Sequence, residues 1–342
     1  MLVPVALGIV YIVSSAGETI VIKALNYASP PLALATYTGF MSNQLWILML
    51  PVYAWMLRGL TKPYRIKYWK DYIGFGLTTF FATLFRNLSV TVMPGSVFGL
   101  LISTSILFNM MLSYIWLKKK FNRWHIAAAI TCLLSAVSIG VSAFITEQEA
   151  ATGANYAIGV PTAIVAAFCV ALLTVWQEDL QPRLDDLNLR LVELIISASL
   201  ISSILMIAFA TFTLEIREWS PSINATASTS LVLVVGCSVV LPILKLLTRN
   251  TKYSIIQVSN AFFFEFLQAT AALVGSFANI LLFNEPWGPG YIVAFILLAV
   301  SFGLYARAKY VAATEIKLPS VMPPPPPYMN PLVVVVPVAS WK

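Results

Sequence analysis

Charge is the scarcest property of this sequence: only 10% of its 342 residues are Asp, Glu, Lys or Arg, against 59% that are hydrophobic. Long polar stretches are missing with it, which excludes a water-soluble globule. There is one histidine, His125, and the three cysteines, Cys132, Cys169 and Cys237, each lie inside an apolar run. Without a second histidine or a cysteine pair in a polar segment, metal catalysis and Cys/His nucleophilic chemistry have nothing to stand on. The cysteines read instead as small core residues. No catalytic constellation, metal site or cofactor is implied. A cleavable signal peptide is not read either, because Met1 leads straight into Leu2-Val3 with no basic stretch. The first helix must direct insertion, and the abrupt start leaves room for a short N-terminal extension.

What the chain does contain is one apolar run after another, each near the roughly 20 residues a bilayer-spanning helix needs. The mean hydropathy of +0.84 agrees. The spacing predicts helices at about 2–26, 32–57, 72–93, 95–117, 125–146, 157–180, 191–214, 229–248, 255–283 and 288–309. Turn residues separate them, among them Pro30-Pro31, Pro94-Gly95, Thr152-Gly153, Pro221 and Gly288-Pro289-Gly290. The formal charge of +7 does not point to nucleic acid, because the basic residues fall in short clusters between apolar runs. Fifteen Lys and Arg fall in loops on one side, from Arg58 to Lys309, and only Arg86 and Arg217 on the other. That asymmetry places both termini in the cytoplasm. The acceptor sequence Asn224-Ala225-Thr226 then falls in an outside loop. The segment from Lys317 onward is proline-rich and offers an extended ligand for a proline-binding module.

Sliding the sequence over itself by 163 residues pairs Arg86-Asn87 with Arg249-Asn250, and Ala136-Val137-Ser138 and Gly140 with Ala299-Val300-Ser301 and Gly303. Eleven identities fall in 57 gapless positions, in blocks at equivalent places in the helix order. Five helices per copy is an odd number, so the second copy enters the membrane from the opposite side. The expected fold is therefore an all-α integral membrane protein of ten transmembrane helices in two inverted five-helix repeats, 1–148 and 149–310, with a cytoplasmic tail, 311–342. Secondary transporters are built this way, with the substrate site at the repeat interface near the midplane. No filter-like loop suggests a channel, and no convergent nucleophile suggests an enzyme.

Polar residues inside the apolar runs mark the candidate pathway. On the ninth helix Gln257, Ala261, Glu265, Gln268, Ala272, Gly275, Ser276 and Asn279 share about 100° of arc at 100° per residue. A charge at mid-helix costs about 2.5 to 3.5 kcal/mol on insertion scales, so Glu265 needs a use or a partner. Small residues on such a stripe also suit helix packing, as do neutral polar ones. On the first helix Tyr11, Ser14, Ser15 and Glu18 share a face, with Lys23 as a candidate partner for Glu18. Asn43 and Gln44 come from the second helix, and Ser105 and Asn109 from the fourth. Arg86 and Lys245 are expected near helix ends, snorkelling.

The segment Ile22 to Tyr37, "IKALNYASPPLALATY", resembles the first hairpin of the drug/metabolite transporter superfamily. Within it, "WILMLP" (Trp46 to Pro51), "YIGFGLTT" (Tyr72 to Thr79), "MPGSVFGLLISTSILFN" (Met93 to Asn109), Ser113 and "KKF" (Lys119 to Phe121) resemble the second to fourth helices of the plant purine permeases. The first helix departs, with Ala16-Gly17-Glu18 and Lys23-Ala24-Leu25 where that family has a Gly-Gly-Pro run and an Arg-Leu-Tyr-Phe block. The resemblance implies a carrier in the plasma membrane, rather than the vacuole or Golgi, that takes up a small, flat, nitrogen-rich solute. Asn43, Gln44, Ser105, Asn109 and Gln268 would bind it, and Glu265 or Glu18 would couple it to protons. Exchangers of nucleotide sugars or phosphorylated metabolites and chloroquine-resistance-type carriers share the repeat, and would need fixed cations deep in the cavity.

Overall fold

The computed structural model describes residues 2–27, 35–58, 67–93, 95–148, 156–184, 187–213, 215–283 and 289–317. Its elements are α1 (Leu2–Tyr27), α2 (Ala35–Ser42), α3 (Leu45–Arg58), α4 (Trp69–Val92), α5 (Gly95–Ile102), α6 (Ser105–Ile115), α7 (Arg123–Gln148), α8 (Tyr156–Leu180), a short 3-10 turn (Gln181–Arg183), α9 (Leu187–Phe212), α10 (Ile216–Val258), α11 (Ala261–Phe283) and α12 (Gly290–Lys317). Among the described residues the ten expected helices thus appear as twelve, because the second and fourth are each broken at mid-length. The proline-rich segment expected to bind a partner lies outside the described residues from 318 onward.

Neither break is made by proline; in both the backbone tightens to i→i−3 bonds, as from Asn43 N–H to the Phe40 carbonyl and from Thr104 N–H to the Leu101 carbonyl, both at 3.1 Å, and local side chains add bonds to the same turns. At the first, Asn43 Nδ2 donates to the Gly39 carbonyl at 2.9 Å and Gln44 Nε2 to the Phe40 carbonyl at 3.0 Å. At the second, Ser103 Oγ donates to the Gly99 carbonyl at 2.9 Å and Thr104 Oγ1 to the Leu101 carbonyl at 2.6 Å. In contrast α10 runs far past the expected 229–248 at both ends. Its polar sequence "TRNTKYS" (Thr248 to Ser254) reads as a loop by hydropathy, yet it is helical because it faces protein rather than water. The expected loop around Pro221 and Asn224 is helical as well, and Asn224's side chain lies outside those described. The last helix extends to Lys317, past the expected 309.

Among the described residues four helical stretches are long and apolar enough to cross a bilayer: Ala35–Arg58, Ala157–Arg183, Leu189–Phe212 and Ala261–Leu282. Others carry bulky apolar side chains on their outer faces, such as Val13, Trp55, Tyr114 and Ile296, all strongly exposed. An apolar exterior of this extent suits lipid, and the chain is an integral membrane protein.

Inside, α4 packs on α8 and α1 on α10; α6 packs on α8 and α1 on α11; α3 pairs with α9, α5 with α11 and α7 with α12. Close approach depends on small residues. At Gly76 of α4 a Cβ would come within 2.7 Å of the Ile201 Cβ on α9, so only glycine fits there. Near one end of the bundle, buried Glu193 of α9 accepts hydrogen bonds from Tyr53 of α3 (3.1 Å), Tyr72 of α4 (2.6 Å) and Arg190 (2.9 Å).

Candidate functional site

Between α1, α4, α5, α8, α10 and α11 lies a cavity of about 150 Å³. One water needs only about 10–15 Å³ of such space, so there is room for a small organic molecule. From α1 come Tyr11, Ser15, Glu18 and Thr19; from α4, Thr79, Thr83 and Arg86; from α5, Phe98 and Ile102. Helix α10 contributes Lys245, Thr248, Arg249 and Lys252, and α11 contributes Phe264 and Gln268. Residues 245, 249 and 252 are four and three apart, hence on one helical face. The wall therefore carries four cations and one carboxylate.

That carboxylate, Glu18, is 1% exposed and clamped from two sides. Arg86 donates to its Oε1 at 2.9 Å and Lys245 to the same oxygen at 2.8 Å. Arg86 also donates to Thr19 Oγ1 at 3.3 Å. The second oxygen, Oε2, is buried with no hydrogen-bond partner in the protein. Arg249 donates to Ser199 Oγ at 2.7 Å, and Lys252 donates to Thr174 Oγ1 at 2.9 Å while lying 4.9 Å from the centre of the Phe264 ring. Among the described residues neither Arg249 nor Lys252 forms an ion pair with a carboxylate.

Glu265, also 1% exposed, sits one layer behind the cavity wall. Its contacts are neutral donors: Ser105 Oγ at 2.5 Å to Oε2 and Asn109 Nδ2 at 3.3 Å to Oε1. Cavity-lining Gln268 donates through Nε2 to Ser105 Oγ at 3.2 Å. A hydrogen-bonded chain thus runs from the cavity through Gln268 and Ser105 to Glu265, and Ser113 extends it by donating to Asn109 Oδ1 at 3.3 Å. The break between α5 and α6 sets this up: it ends α5 at Ile102 in the cavity wall and starts α6 at Ser105, the donor to Glu265.

The structure thus brings Ser105, Asn109, Gln268 and Glu265 together, and Glu18 joins them across the cavity. Asn43 and Gln44 go elsewhere: they bond Ser202 (3.0 Å) and Ser203 (3.5 Å) of α9 and do not line the cavity. Gln257 leaves the expected stripe, because α10 ends at Val258 and α11 begins a new helix after Ser259 and Asn260. The side chains of Ser276, Asn279 and Lys23 lie outside those described. Arg86 and Lys245 do not snorkel; they pair with Glu18. Arg249 and Lys252, assigned to a cytoplasmic loop by hydropathy, are the residues the sequence reading misses. Two signals were available: the spacing of 245, 249 and 252, and the repeat itself, whose one shared arginine, Arg86 and Arg249, faces one cavity from both copies.

A lipid-embedded helical bundle around a polar cavity, with one helix broken beside it, has the makings of a membrane transporter. Residues 45–314 match the protein family described as purine nucleobase transmembrane transport, and the chain belongs to that family. It is accordingly a transporter and not an enzyme, and the likeness to purine permeases seen in its second to fourth helices holds across the matched region. One solved structure, described as the crystal structure of a protein, is 13% identical, with a TM-score of 0.57 over 92% of this chain and 98% of its own. At that identity the likeness is one of fold. No curated protein matches the chain.

Proposed function

We propose that the chain is a proton-coupled carrier of purine-type bases that works by alternating access. The observation that carries this reading is Glu265, a buried carboxylate whose hydrogen-bond partners are neutral and which a two-bond chain connects to the cavity wall. Held by a hydroxyl and an amide, Glu265 can bind a proton and release it as the cavity changes sides without breaking a direct ion pair. A solute touching Gln268 pulls on Ser105, and Ser105 on Glu265, which couples the two events. Ten spans in two inverted repeats, 1–148 and 149–310, are the architecture we assign. Its support is the packing: an α4–α8 contact answered by α1–α10, α6–α8 answered by α1–α11, and equivalent helices meeting in pairs. Ser138 donates to the Gly290 carbonyl (3.2 Å) while its repeat equivalent, Ser301, donates to the Ala128 carbonyl (2.7 Å), one residue from the equivalent of Gly290, so the contacts between α7 and α12 are nearly reciprocal. Cytoplasmic termini and a plasma-membrane location complete the reading.

The test is uptake of labelled purines into proteoliposomes with an imposed pH gradient. Acid outside accelerates uptake by the native chain, and Glu265→Gln abolishes that acceleration. Unchanged gradient-driven uptake in the variant would sink the assignment of Glu265. A second reading, exchange of phosphorylated metabolites, draws on the four cations of the cavity wall; counter-transport indifferent to the pH gradient would favour it.

A further inference from the structure

Lys252 stands between the solute cavity and Glu265. It lines the cavity, whereas Glu265 lies one layer behind the wall. Its ammonium donates to Thr174 Oγ1 at 2.9 Å and lies 4.9 Å from the centre of the ring of Phe264, the residue before Glu265. Thr174 is fully buried and also stands beside the Glu265 carboxylate. One hydroxyl therefore adjoins both charges, although the two do not touch. Among the charged groups, Lys252 acts most strongly on Glu265, and Glu265 on Lys252. The other cations of α10 are turned to Glu18: Lys245 pairs with it and Arg249 faces it. Among the described residues the remaining titratable groups facing Glu265 are Tyr11 of α1 and Cys132 of α7, both uncharged in their ordinary state. Helix α6 brings Ser105 and Asn109, α5 carries no titratable residue, and α12 turns the Tyr305 hydroxyl to Asn260.

We propose that Lys252 is the movable counter-ion of Glu265: its ammonium pairs with the carboxylate when the proton has left, and turns to the solute when Glu265 is protonated. A compact ammonium on a flexible four-carbon stem suits so short a move, with the Thr174 hydroxyl as the resting place between its two partners. The proton passes between Glu265 and solvent. Lys252 keeps its three protons throughout, so only N–H···O bonds are exchanged at the ammonium. Two states give both groups a full partner. In one, Glu265 is protonated and Lys252 donates to an acceptor of the solute; in the other the cavity is empty and the two pair with each other. A charge left without a partner inside a membrane bundle is costly. The carrier therefore changes sides either with solute and proton together or with neither, which is the rule a symporter must obey.

This rests on the Glu265 reading above, and the experiment separates the two. Full-length protein is reconstituted in proteoliposomes as the native chain, Glu265→Gln, Lys252→Gln, Lys252→Arg and the double Gln variant. Net downhill uptake of labelled adenine and hypoxanthine is divided by counterflow of the same preparation, a ratio that does not depend on how much protein inserts. Lys252→Gln lowers the ratio about tenfold, because an ionised Glu265 must then return without its cation; Lys252→Arg keeps it. Glu265→Gln lowers it as well, since the cation is left over. Joining the two Gln substitutions removes both charges and recovers most of the ratio, without any acceleration by a pH gradient. A native ratio in Lys252→Gln, a double variant no better than Lys252→Gln, or counterflow lost along with net uptake in Lys252→Gln overturns the role of Lys252 and leaves that of Glu265 intact. Gradient-driven uptake unchanged in Glu265→Gln, or a native chain that carries neither base, overturns both.

Discussion

Two carboxylates, Glu18 in the cavity wall and Glu265 behind it, are equally buried at 1% exposure, yet their surroundings differ in kind. Glu18 meets a guanidinium and an ammonium within 3 Å. Glu265 meets a hydroxyl and an amide. Burial alone therefore says little about what a membrane carboxylate does; the charge of its neighbours decides. A carboxylate matched by two cations is a fixed part of an ionic lattice, because removing any member strands the others in a desolvated site. One held by neutral donors can change protonation state without breaking a direct ion pair, which is what a coupling group needs.

Breaking the first site is expected to have the largest effect. Glu18→Ala leaves Arg86 and Lys245 facing each other without an anion, a loss of about 3–5 kcal/mol for a broken buried pair. Thermal unfolding in detergent should show it, and Glu18→Ala combined with Lys245→Met should recover part of the loss. Glu265→Gln keeps the shape of the site, so unfolding changes little while pH-gradient-driven uptake falls at least tenfold and counterflow persists. Equal destabilisation by the two single variants would erase the contrast between the sites. Ser105→Ala sharpens it: one donor to Glu265 and the acceptor for Gln268 disappear, costing up to about 1.7 kcal/mol, the upper end for polar contacts between membrane helices. Its mark is a shifted pH dependence of uptake, with binding of the solute to the rest of the cavity retained. Asn43→Ala is the mildest, at about 0.6 kcal/mol, an average helix-to-helix hydrogen bond. KM should not move, since Asn43 bonds α9 and not the cavity.

Much of the fold was legible because hydropathy reports helices that face lipid. Runs such as "LVPVALGIVYIV" and "AIVAAFCVALLTV" need no tertiary information to be read as spans. The same measure failed at Thr248 to Ser254, where polar residues face other helices and the cavity; only the packing of α1 on α10 turns that segment from loop to wall. The breaks at Asn43-Gln44 and Ser103-Thr104 carry no proline or glycine to announce them. There the backbone tightens to i→i−3 bonds with side-chain amides and hydroxyls bonding the same turns, which the types of residue permit but do not demand. Of the candidate site, Ser105, Asn109, Gln268 and Glu265 were found by their positions on helical faces. Asn43 and Gln44 look identical by that criterion and were separated only by where α9 lies.

By itself the sequence determined that this is a membrane-embedded helical carrier with a costly acid in its penultimate apolar run, because insertion into lipid is decided residue by residue along the chain. It also carried the repeat, since likeness between halves is a property of order alone. Which acid is clamped and which is held only by neutral donors was decided in three dimensions. Arg86 is 68 residues from Glu18 and Lys245 is 227; ion pairing falls off with distance in space, not along the chain, and no local pattern could have set those two cations on one oxygen of Glu18.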